Sequence, residues 1–219
     1  MNSFLITCCN ATCAVPEAQR ELFKGSEELV TSPQGWEPGA LNLAQGLAIK
    51  LSTPLIHGDV TRLLIDLQEI GDKQWSDISK KIPEPSRTRL GDRLNFKFRH
   101  AIEMRLEEDF KRHDAVIHLD IHTAPIEDGK IIFEYSSDPI AEKFASQAAK
   151  LIPSQEVDSK HRPLETPTPF IKWMQDQAEG GKLGTVRITV SQSFFMKSIP
   201  LRWETIKKDI IKAIINAAQ

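Results

Sequence analysis

Three polar residues that could do chemistry lie at the end of an apolar stretch in the middle of the chain. Residues 114–125 read DAVIHLDIHTAP, so a short apolar run leads into His118, Asp120 and His122. The β-branched run predicts a buried strand, and because side chains alternate along a strand, residues spaced by two project from one face. Two imidazoles around a carboxylate suit a metal site, in which the carboxylate holds a ligating ring in one tautomer. The simpler alternative is a strand end that happens to be polar.

Length, charge and hydropathy limit the classes of protein to which the chain could belong. Its 219 residues are most simply one domain, spanning residues 1–219, and 40% hydrophobic residues favour a globular fold. A net charge of −2 argues against nucleic acid or an anionic membrane as a partner. No apolar run reaches the roughly 20 residues that a membrane helix needs. The N-terminus lacks the basic region of a signal peptide, so we expect a cytoplasmic protein.

The cysteines Cys8, Cys9 and Cys13 lie close together near the N-terminus. An odd number of cysteines in a reducing compartment does not indicate a disulfide framework. Packing residues, free thiols and metal ligands all remain open for them, although their spacing is not a familiar zinc pattern.

Apolar strands alternate with amphipathic helices along the chain, which predicts an α/β sandwich of three layers with a mostly parallel sheet. The predicted strands are residues 3–8, 53–57, 116–120, 130–135 and 185–190, with a further buried extended piece at residues 62–66. Residues 157–169 are expected to form a loop, and Asp138 is expected to cap the helix that follows it. The predicted helices are residues 17–23, 38–51, 75–82, 87–113, 139–151, 170–179 and 203–218, the helix over 170–179 being ended by Gly180.

Five separated pieces of the sequence resemble motifs of the N-formylglutamate amidohydrolase family, in the family's order. Residues 7–16 (TCCNATCAVP) correspond to a pattern close to T-C-E-H-A-G-N-x-V-P, and residues 34–40 (QGWEPGA) correspond to R-G-W-D-P-G-A. Residues 61–68 (TRLLIDLQ) correspond to S-R-L-L-x-D-L-N, and residues 118–123 (HLDIHT) correspond to H-I-D-x-H-S. The last piece, residues 185–192 (TVRITVSQ), corresponds to G-I-E-I-E-x-N-Q.

The resemblance implies the phosphorylase/hydrolase-like fold that this family shares with the zinc carboxypeptidases. It also implies a metal-dependent hydrolase of N-acyl amino acids, with zinc as its cofactor. The metal ligands of the family fall on Asn10, Glu37 and His122 of this chain. Arginines of the family's substrate motifs fall on Arg62 and Arg99, which could clamp the carboxylate of an N-acyl amino acid or of another small acid.

Several positions depart from the family pattern, and they are the positions that the chemistry needs. Asn10 stands in place of a metal-binding His, and its neutral carbonyl oxygen is a poor zinc ligand. Arg187 and Thr189 stand where the family has two glutamates, one of which should be the general base. Neither residue takes a proton from water at neutral pH, so we predict lost or altered chemistry.

A zinc site could be rebuilt from other ligands. Cys9 or Cys13 could join Glu37 and His122 to give three ligands and one open position, because a thiolate binds zinc well. The simpler alternative is that these small thiols are buried packing residues.

Three functions remain open from the sequence. The first is a metal-dependent amidohydrolase, for which Glu134 and Glu165 are the only visible replacements for the base. The second is a non-catalytic descendant of the family that binds a small carboxylate ligand or a protein partner. The third is a redox-responsive protein built on the cysteines, although no cationic neighbour is evident to lower a thiol pKa. We predict weak or absent family-type catalysis, and the sequence indicates no oligomeric state.

Overall fold

Six strands form one sheet in the middle of the protein. The computed structural model describes residues 3–153, 157–178, 181–196 and 200–219. The strands are β1 (Ser3–Cys8), β2 (Leu55–His57), β3 (Ala115–Ala124), β4 (Lys130–Tyr135), β5 (Asp158–Pro163) and β6 (Lys182–Ser191). Their order across the sheet is β2-β1-β3-β6-β4-β5.

The sheet is mostly parallel, with one antiparallel junction. β1 pairs in parallel with β2 and β3, β3 pairs in parallel with β6, and β4 pairs in parallel with β5. β4 and β6 are antiparallel. The predicted central position of residues 116–120 is confirmed, because β3 lies between β1 and β6 and is buried along nearly all its length.

Helices cover both faces of the sheet and complete three layers. They are α1 (Glu27–Thr31), α2 (Ala40–Leu51), α3 (Glu84–Phe110), α4 (Pro139–Leu151), α5 (Pro169–Asp176), α6 (Ser193–Met196) and α7 (Pro200–Ala217), with 3-10 turns at Glu17–Phe23, Gly71–Gln74 and Ser79–Lys81. α2, α4 and α7 share one apolar cluster with the sheet, whereas α3 and α5 share another on the opposite face. The predicted α/β class is therefore confirmed, and the single-domain span 1–219 stays a prediction.

The start of α4 shows how local sequence determines a helix boundary. Asp138 Oδ1 accepts a hydrogen bond from the backbone N–H of Ile140 at 2.8 Å, as predicted for an N-cap. Pro139 follows at the first helical position, where its missing N–H leaves no hydrogen bond unmade. The helix therefore begins at the residue that its sequence predicts.

The extended piece predicted at residues 62–66 is wrong, because the chain turns there. The carbonyl oxygen of Thr61 accepts hydrogen bonds from the N–H groups of Leu64 at 2.9 Å and Ile65 at 3.3 Å. Leu64 and Ile65 are nevertheless buried. The apolar run correctly indicated burial, but it did not distinguish a turn from a strand.

The helix predicted at residues 75–82 is also wrong, because only a short 3-10 turn at Ser79–Lys81 forms there. Ser76 Oγ accepts hydrogen bonds from the backbone N–H groups of Ile78 and Ser79, both at 3.2 Å. A serine hydroxyl that bonds its neighbours' backbone competes with helix formation, so only Ser79–Lys81 is helical. The predicted helix over residues 17–23 is likewise a 3-10 helix.

The loop predicted at residues 157–169 contains the edge strand β5. Its sequence, DSKHRP, is polar and almost wholly exposed, so no hydrophobic alternation indicates a strand. Backbone pairing with β4 holds it, from Lys130 opposite Asp158 to Tyr135 opposite Pro163. The helix predicted at residues 170–179 ends earlier, at Asp176, and Gly180, which was expected to end it, lies outside the described residues.

Among the described helices, none combines the length and the apolar character that crossing a bilayer requires.

We predict that Asp138→Ala lowers the free energy of unfolding by about 1 kcal/mol, because the N-cap hydrogen bond to α4 is lost. Urea unfolding followed by circular dichroism measures this. Asp138→Asn is the matched control, since its side-chain oxygen can accept the same bond and most of the stability should remain. Equal loss in both variants would contradict the capping role.

Candidate functional site

One face of the sheet carries a row of buried polar side chains near the carboxyl ends of its parallel strands. Thr7 on β1 lies opposite Asp120 on β3, and Asp120 lies opposite Arg187 on β6. His118 and His122 share this face with Asp120, and it is the face that α3 and α5 cover. Ligands of parallel α/β sheets bind at this edge, so the row marks the candidate site.

Two loops bring further polar groups to the same edge. The backbone carbonyl of Asn10, just after β1, accepts a hydrogen bond from the N–H of Glu37 at 2.9 Å. Gly39, at the start of α2, adopts a φ of +90°, which glycine does without strain. Gly35 lies so close to Val30 that a Cβ would stand 2.0 Å from the Val30 carbonyl oxygen. Close backbone contacts therefore set the position of Glu37.

Asn10, Glu37 and His122 meet at one point although they are far apart in the sequence. Asn10 Nδ2 donates to Glu37 Oε1 at 3.0 Å, and His122 Nδ1 donates to Glu37 Oε2 at 2.8 Å. Glu37 Oε2 also accepts the backbone N–H of Thr123 at 3.2 Å. All three side chains belong to residues that are at most 6% exposed. The three positions that the resemblance assigns to a metal are therefore in direct contact.

The second ring nitrogen of His122 faces another carboxylate. His122 Nε2 lies 2.9 Å from Asp120 Oδ2, and the amide nitrogen of Gln68 lies 2.8 Å from the same ring nitrogen. At Nε2 the carboxylate of Asp120 requires a proton, whereas the amide nitrogen of Gln68, which only donates, requires a lone pair, so the contacts at this nitrogen do not by themselves fix its proton. The charges of the two carboxylates favour the imidazolium. Burial by itself lowers the pKa of His122, but Asp120 and Glu37 together outweigh burial and raise that pKa to about 10. His122 is thus a buried cation between two carboxylates.

Arg187 places a second cation on Asp120. Its Nε donates to Asp120 Oδ2 at 3.1 Å, and its Nη2 donates to Gln68 Oε1 at 3.3 Å and Thr168 Oγ1 at 3.4 Å. Burial by itself raises the pKa of Asp120, but the charges of His122 and Arg187 hold that pKa well below its usual range. The carboxylate therefore stays ionised although no part of it is exposed.

His118 lies deeper along the same strand and is neutral. Thr7 Oγ1 donates its proton to Asp120 Oδ1 at 3.1 Å, so it accepts from His118 Nε2, which is 2.8 Å away. The other ring nitrogen lies 3.3 Å from Thr185 Oγ1. Burial lowers the pKa of His118 to about 4. His118 therefore orients Thr7 and is not part of the charged pair.

These contacts do not fit a zinc site. Zinc binds an imidazole through a free lone pair, whereas Nδ1 of His122 lies 2.8 Å from the carboxylate of Glu37 and Nε2 lies 2.9 Å from that of Asp120. Both oxygens of Glu37 already accept hydrogen bonds, and Asn10 offers only a neutral amide. Arg187 adds a positive charge beside the same carboxylate that His122 contacts. Among the residues that the structure describes, no group of three His, Cys, Asp or Glu side chains is arranged to hold a metal ion.

The structure does not assemble the rebuilt site of Cys9, Glu37 and His122. Cys9 is 2% exposed and packs in the apolar cluster on the α3 side of the sheet. Burial raises the pKa of Cys8 and of Cys9, which disfavours the thiolate that would bind zinc. Cys13 lies elsewhere, in the wall of a surface cavity of about 310 Å³. The three thiols are free.

Arg62 serves the loop that carries Glu37. Its Nε donates to the carbonyl of Gln34 and its Nη2 to the carbonyl of Pro33, both at 2.9 Å. Its Nη1 lies 3.7 Å from Glu37 Oε1. The guanidinium of Arg62 therefore makes its hydrogen bonds and its ion pair with groups of the loop that carries Glu37.

Arg99 differs from Arg62 because its guanidinium has no polar partner among the residues that the structure describes. It lies 4.7 Å from the centre of the Trp173 ring, a cation–π contact, and it is half-buried. It makes no ion pair or hydrogen bond with any residue that the structure describes. Burial lowers its pKa, but an arginine remains charged.

Of the two carboxylates that the sequence offers as a base, Glu134 lies opposite Arg187 in the β4–β6 register, beside the site. Thr189 lies opposite His122 in the β3–β6 register. Glu134 is held by Arg162, whose Nε and Nη2 donate to Oε1 at 3.0 and 2.7 Å. Glu165 is exposed on the turn after β5.

Four further polar residues complete the hydrogen-bond network around His118, Asp120 and His122, and no motif assigned a role to them. They are Thr7, Gln68, Thr168 and Thr185. Thr7, Gln68 and Thr185 fall within the motif pieces, and β-strand alternation places Thr7 on the same face as the residues of β3. That signal could have found Thr7, but the contact of Thr168 depends on how α5 packs.

Solved structures share this fold. The structure of the gene product Atu2144 from Agrobacterium tumefaciens superposes with a TM-score of 0.78 at 15% identity, covering 99% of this chain and 90% of that chain. N-formylglutamate amidohydrolase from Ralstonia eutropha JMP134 superposes with a TM-score of 0.62 at 14% identity, covering 100% of this chain and 94% of that one. The chain shares the fold of these two proteins. The sequence matches no protein-family model and no curated protein.

We predict that His122→Gln destabilises the protein by about 3–5 kcal/mol at pH 6.5, because two buried carboxylates lose their shared cation. The folded pKa of about 10 lies above the ordinary value of 6.5, so this stabilisation is complete below pH 6.5 and is lost as pH rises through 10. The difference between wild type and variant, measured by urea unfolding from pH 6.5 to 10.5, should therefore shrink.

His161→Gln, at an exposed position on β5, is the matched control and should follow the wild type at every pH. A wild-type advantage over His122→Gln that stays constant up to pH 10.5 would contradict the imidazolium assignment.

Proposed function

We propose that this protein is a non-hydrolytic descendant of the N-formylglutamate amidohydrolases that binds a small carboxylate ligand. The observation that carries the proposal is the position of His122, whose two ring nitrogens lie 2.8 and 2.9 Å from the carboxylates of Glu37 and Asp120. An imidazolium held in this way neither ligates a metal nor accepts a proton.

Amide hydrolysis on this fold needs a metal that polarises the carbonyl group and a carboxylate that takes a proton from water. Neither requirement is supported by the residues present. The ring that the resemblance assigns to the metal is protonated, and Arg187 occupies the base position while bonded to Asp120. Loss of a general base alone typically lowers a rate by about 10²–10⁴.

Two guanidinium groups support an anionic ligand. Arg99 has a ring beneath it and no acid bonded to it in the described chain, and Nη1 of Arg187 makes none of that side chain's hydrogen bonds. Arg99 stacks on Trp173 of α5, and Arg187 donates to Asp120 and to Thr168 at the start of α5, so both arginines lie on the side of the sheet that α5 covers. Arginine binds carboxylates in a bidentate manner, so a ligand acid between these two groups would satisfy donors that the protein leaves unused.

Asn10 supports a ligand that also carries a hydrogen-bond donor. Its Oδ1 is buried and has no hydrogen-bond partner among the described residues. An unpaired buried acceptor costs about 1–3 kcal/mol, so a donor supplied by a ligand would be stabilising. An N-acyl amino acid offers both groups, a carboxylate for the arginines and an amide N–H for Asn10.

We predict that the protein binds N-formylglutamate without metal, and that Arg99→Gln weakens this affinity about tenfold or more because a charge-assisted contact is lost. Isothermal titration calorimetry in buffer containing EDTA measures the affinity. Arg89→Gln is the matched control: it removes an exposed arginine from the same helix, so the affinity should stay near that of the wild type.

The binding proposal is contradicted if the wild type gives no heat of binding with N-formylglutamate or N-acetylglutamate. Equal weakening by Arg89→Gln and Arg99→Gln would also contradict it, because an exposed arginine and the proposed ligand contact would then act alike.

We predict that the purified protein supplied with zinc releases no formate from N-formylglutamate above the rate of His122→Ala. Formate is measured enzymatically, and bound zinc is measured on the same samples after gel filtration. Turnover of about 1 s⁻¹ or more, abolished in His122→Ala, would show that the protein is an ordinary enzyme and would overturn the non-hydrolytic reading.

A further inference from the structure

Helix α5 carries two aromatic side chains, Phe170 and Trp173, that stack on one another. Their ring centres are 6.1 Å apart and the ring planes meet at 25°. Phe170 is fully buried, and its ring lies 5.5 Å from the ring of Phe98 and 6.1 Å from that of His118. Packing therefore holds Phe170 from several sides, whereas Trp173 is only half-buried and forms the outer end of the stack.

The outer ring of this stack contacts Arg99 of α3. The guanidinium carbon of Arg99 lies 4.7 Å from the centre of the Trp173 ring, which is within the range of a cation–π contact. Among the residues that the structure describes, none offers Arg99 an ion pair or a hydrogen bond. Trp173 is therefore the described side chain that determines where this guanidinium lies.

Packing between α3 and α5 does not explain an arginine at position 99. Phe98 of α3 and Phe170 of α5 already fill the apolar cluster between the two helices and the sheet. An apolar side chain at position 99 would cover Trp173 and would avoid taking a charge out of water, which is costly unless the charge is paired. A half-buried cation that the described chain does not pair is left for an anion from outside.

An aromatic ring holds a cation without using up its hydrogen-bond donors. The ring attracts the guanidinium through its electron-rich face, whereas a carboxylate would accept the N–H groups and cancel the charge. Arg62 shows the opposite case, because the carbonyl groups of Gln34 and Pro33 accept its hydrogen bonds. Arg99 keeps both its charge and its donors for a ligand.

The contact with Trp173 also orders Arg99 before a ligand arrives. An unrestrained arginine side chain loses the freedom of several bonds when a ligand fixes it, and this loss weakens binding. Trp173 restricts the guanidinium in advance, and the buried ring of Phe170 supports Trp173 from behind. The ring thus lowers the cost of binding an acid without contacting that acid itself.

The same helix contacts the second arginine of the proposed ligand site. Thr168, the N-cap of α5, accepts hydrogen bonds from the backbone N–H of Ile171 and from Nη2 of Arg187, both at 3.4 Å. Trp173 follows roughly 7.5 Å further along the helix axis. One short helix therefore touches both arginines and fixes them relative to each other.

We propose that Trp173 is a positioning residue, which holds Arg99 in the place where the acid group of the ligand binds. This inference deepens the proposed function and rests on it, because it concerns the same carboxylate site. Trp173 acts through Arg99, so the loss of its ring affects binding only while Arg99 is present.

Two substitutions of similar size test the proposal by isothermal titration calorimetry with N-formylglutamate in buffer containing EDTA. Trp173→Leu removes the ring and should weaken the affinity about tenfold, as Arg99→Gln does. Trp173→Phe keeps an aromatic face and should stay within about threefold of the wild type. Gln175→Leu, at an exposed position of the same helix, is the matched control and should bind like the wild type.

A double variant separates positioning from general damage. Arg99→Gln combined with Trp173→Leu should bind no more weakly than Arg99→Gln alone, because the ring has no guanidinium left to hold. General damage to α5 would add a loss of its own. Circular dichroism melting shows that each variant is folded.

Nuclear magnetic resonance tests the contact itself in the ligand-free protein. The Nε–H signal of Arg99, assigned by its absence in Arg99→Gln, should be shifted upfield by the ring current of Trp173. The shift should be lost in Trp173→Leu and largely kept in Trp173→Phe. An unshifted Arg99 signal in the wild type overturns the proposal without any variant of Trp173.

The outcomes distinguish this proposal from the proposed function. Unchanged affinity in Trp173→Leu, an additive loss in the double variant, or equal losses in Trp173→Leu and Trp173→Phe overturn the positioning role while the wild type still binds its ligand. A wild type that binds no N-formylglutamate contradicts the proposed function, and the positioning role falls with it even where the upfield shift is present.

Discussion

The carboxylate of Asp120 is fully buried at the centre of the sheet, and the arrangement of the site follows from the need to neutralise it. An unpaired buried charge is very costly, so Asp120 is stable there only with its two cations in place. His122 and Arg187 share one oxygen of Asp120, and Thr7 donates to the other. Once His122 is charged, it requires Glu37 on its other nitrogen. Two carboxylates and two cations thus form a single unit. Removing the charge of one member would leave another buried charge without its partner.

This unit also supplies positive charge to the buried carboxylates from the chain's own side chains. A bound metal ion would supply positive charge that can be exchanged with solvent. Here the positive charge belongs to side chains of the chain itself, and Arg187 donates hydrogen bonds at a position where a base would accept a proton. Arg187, which departs from the family pattern, and His122, which matches it, together balance the charges of Asp120 and Glu37.

Much of the fold follows from the sequence, because apolar runs and helix caps act locally. The central strand, the α4 cap and the convergence of Asn10, Glu37 and His122 were predictable from pattern and motif. The turn at residues 62–66 and the polar strand β5 were not, because each depends on hydrogen bonds that the residue types do not announce. In the site, the sequence placed the residues but not their protonation, which depends on burial and on distances below 3 Å. The sequence also could not show that the guanidinium of Arg62 bonds to backbone carbonyl groups of the protein, whereas that of Arg99 has no polar partner among the described residues.

The two edges of the sheet restrict how this molecule can meet another one. β2 is only three residues long, and β5 carries Lys160 and Arg162 and ends in Pro163. Short, charged and proline-terminated edges are the means by which β proteins prevent an unpaired strand from recruiting a strand of a neighbour. Backbone pairing between molecules, the usual beginning of fibrous aggregation, is therefore blocked on both sides of the sheet. Any specific association of this protein has to be built from helix surfaces, where side-chain charge and shape select the partner.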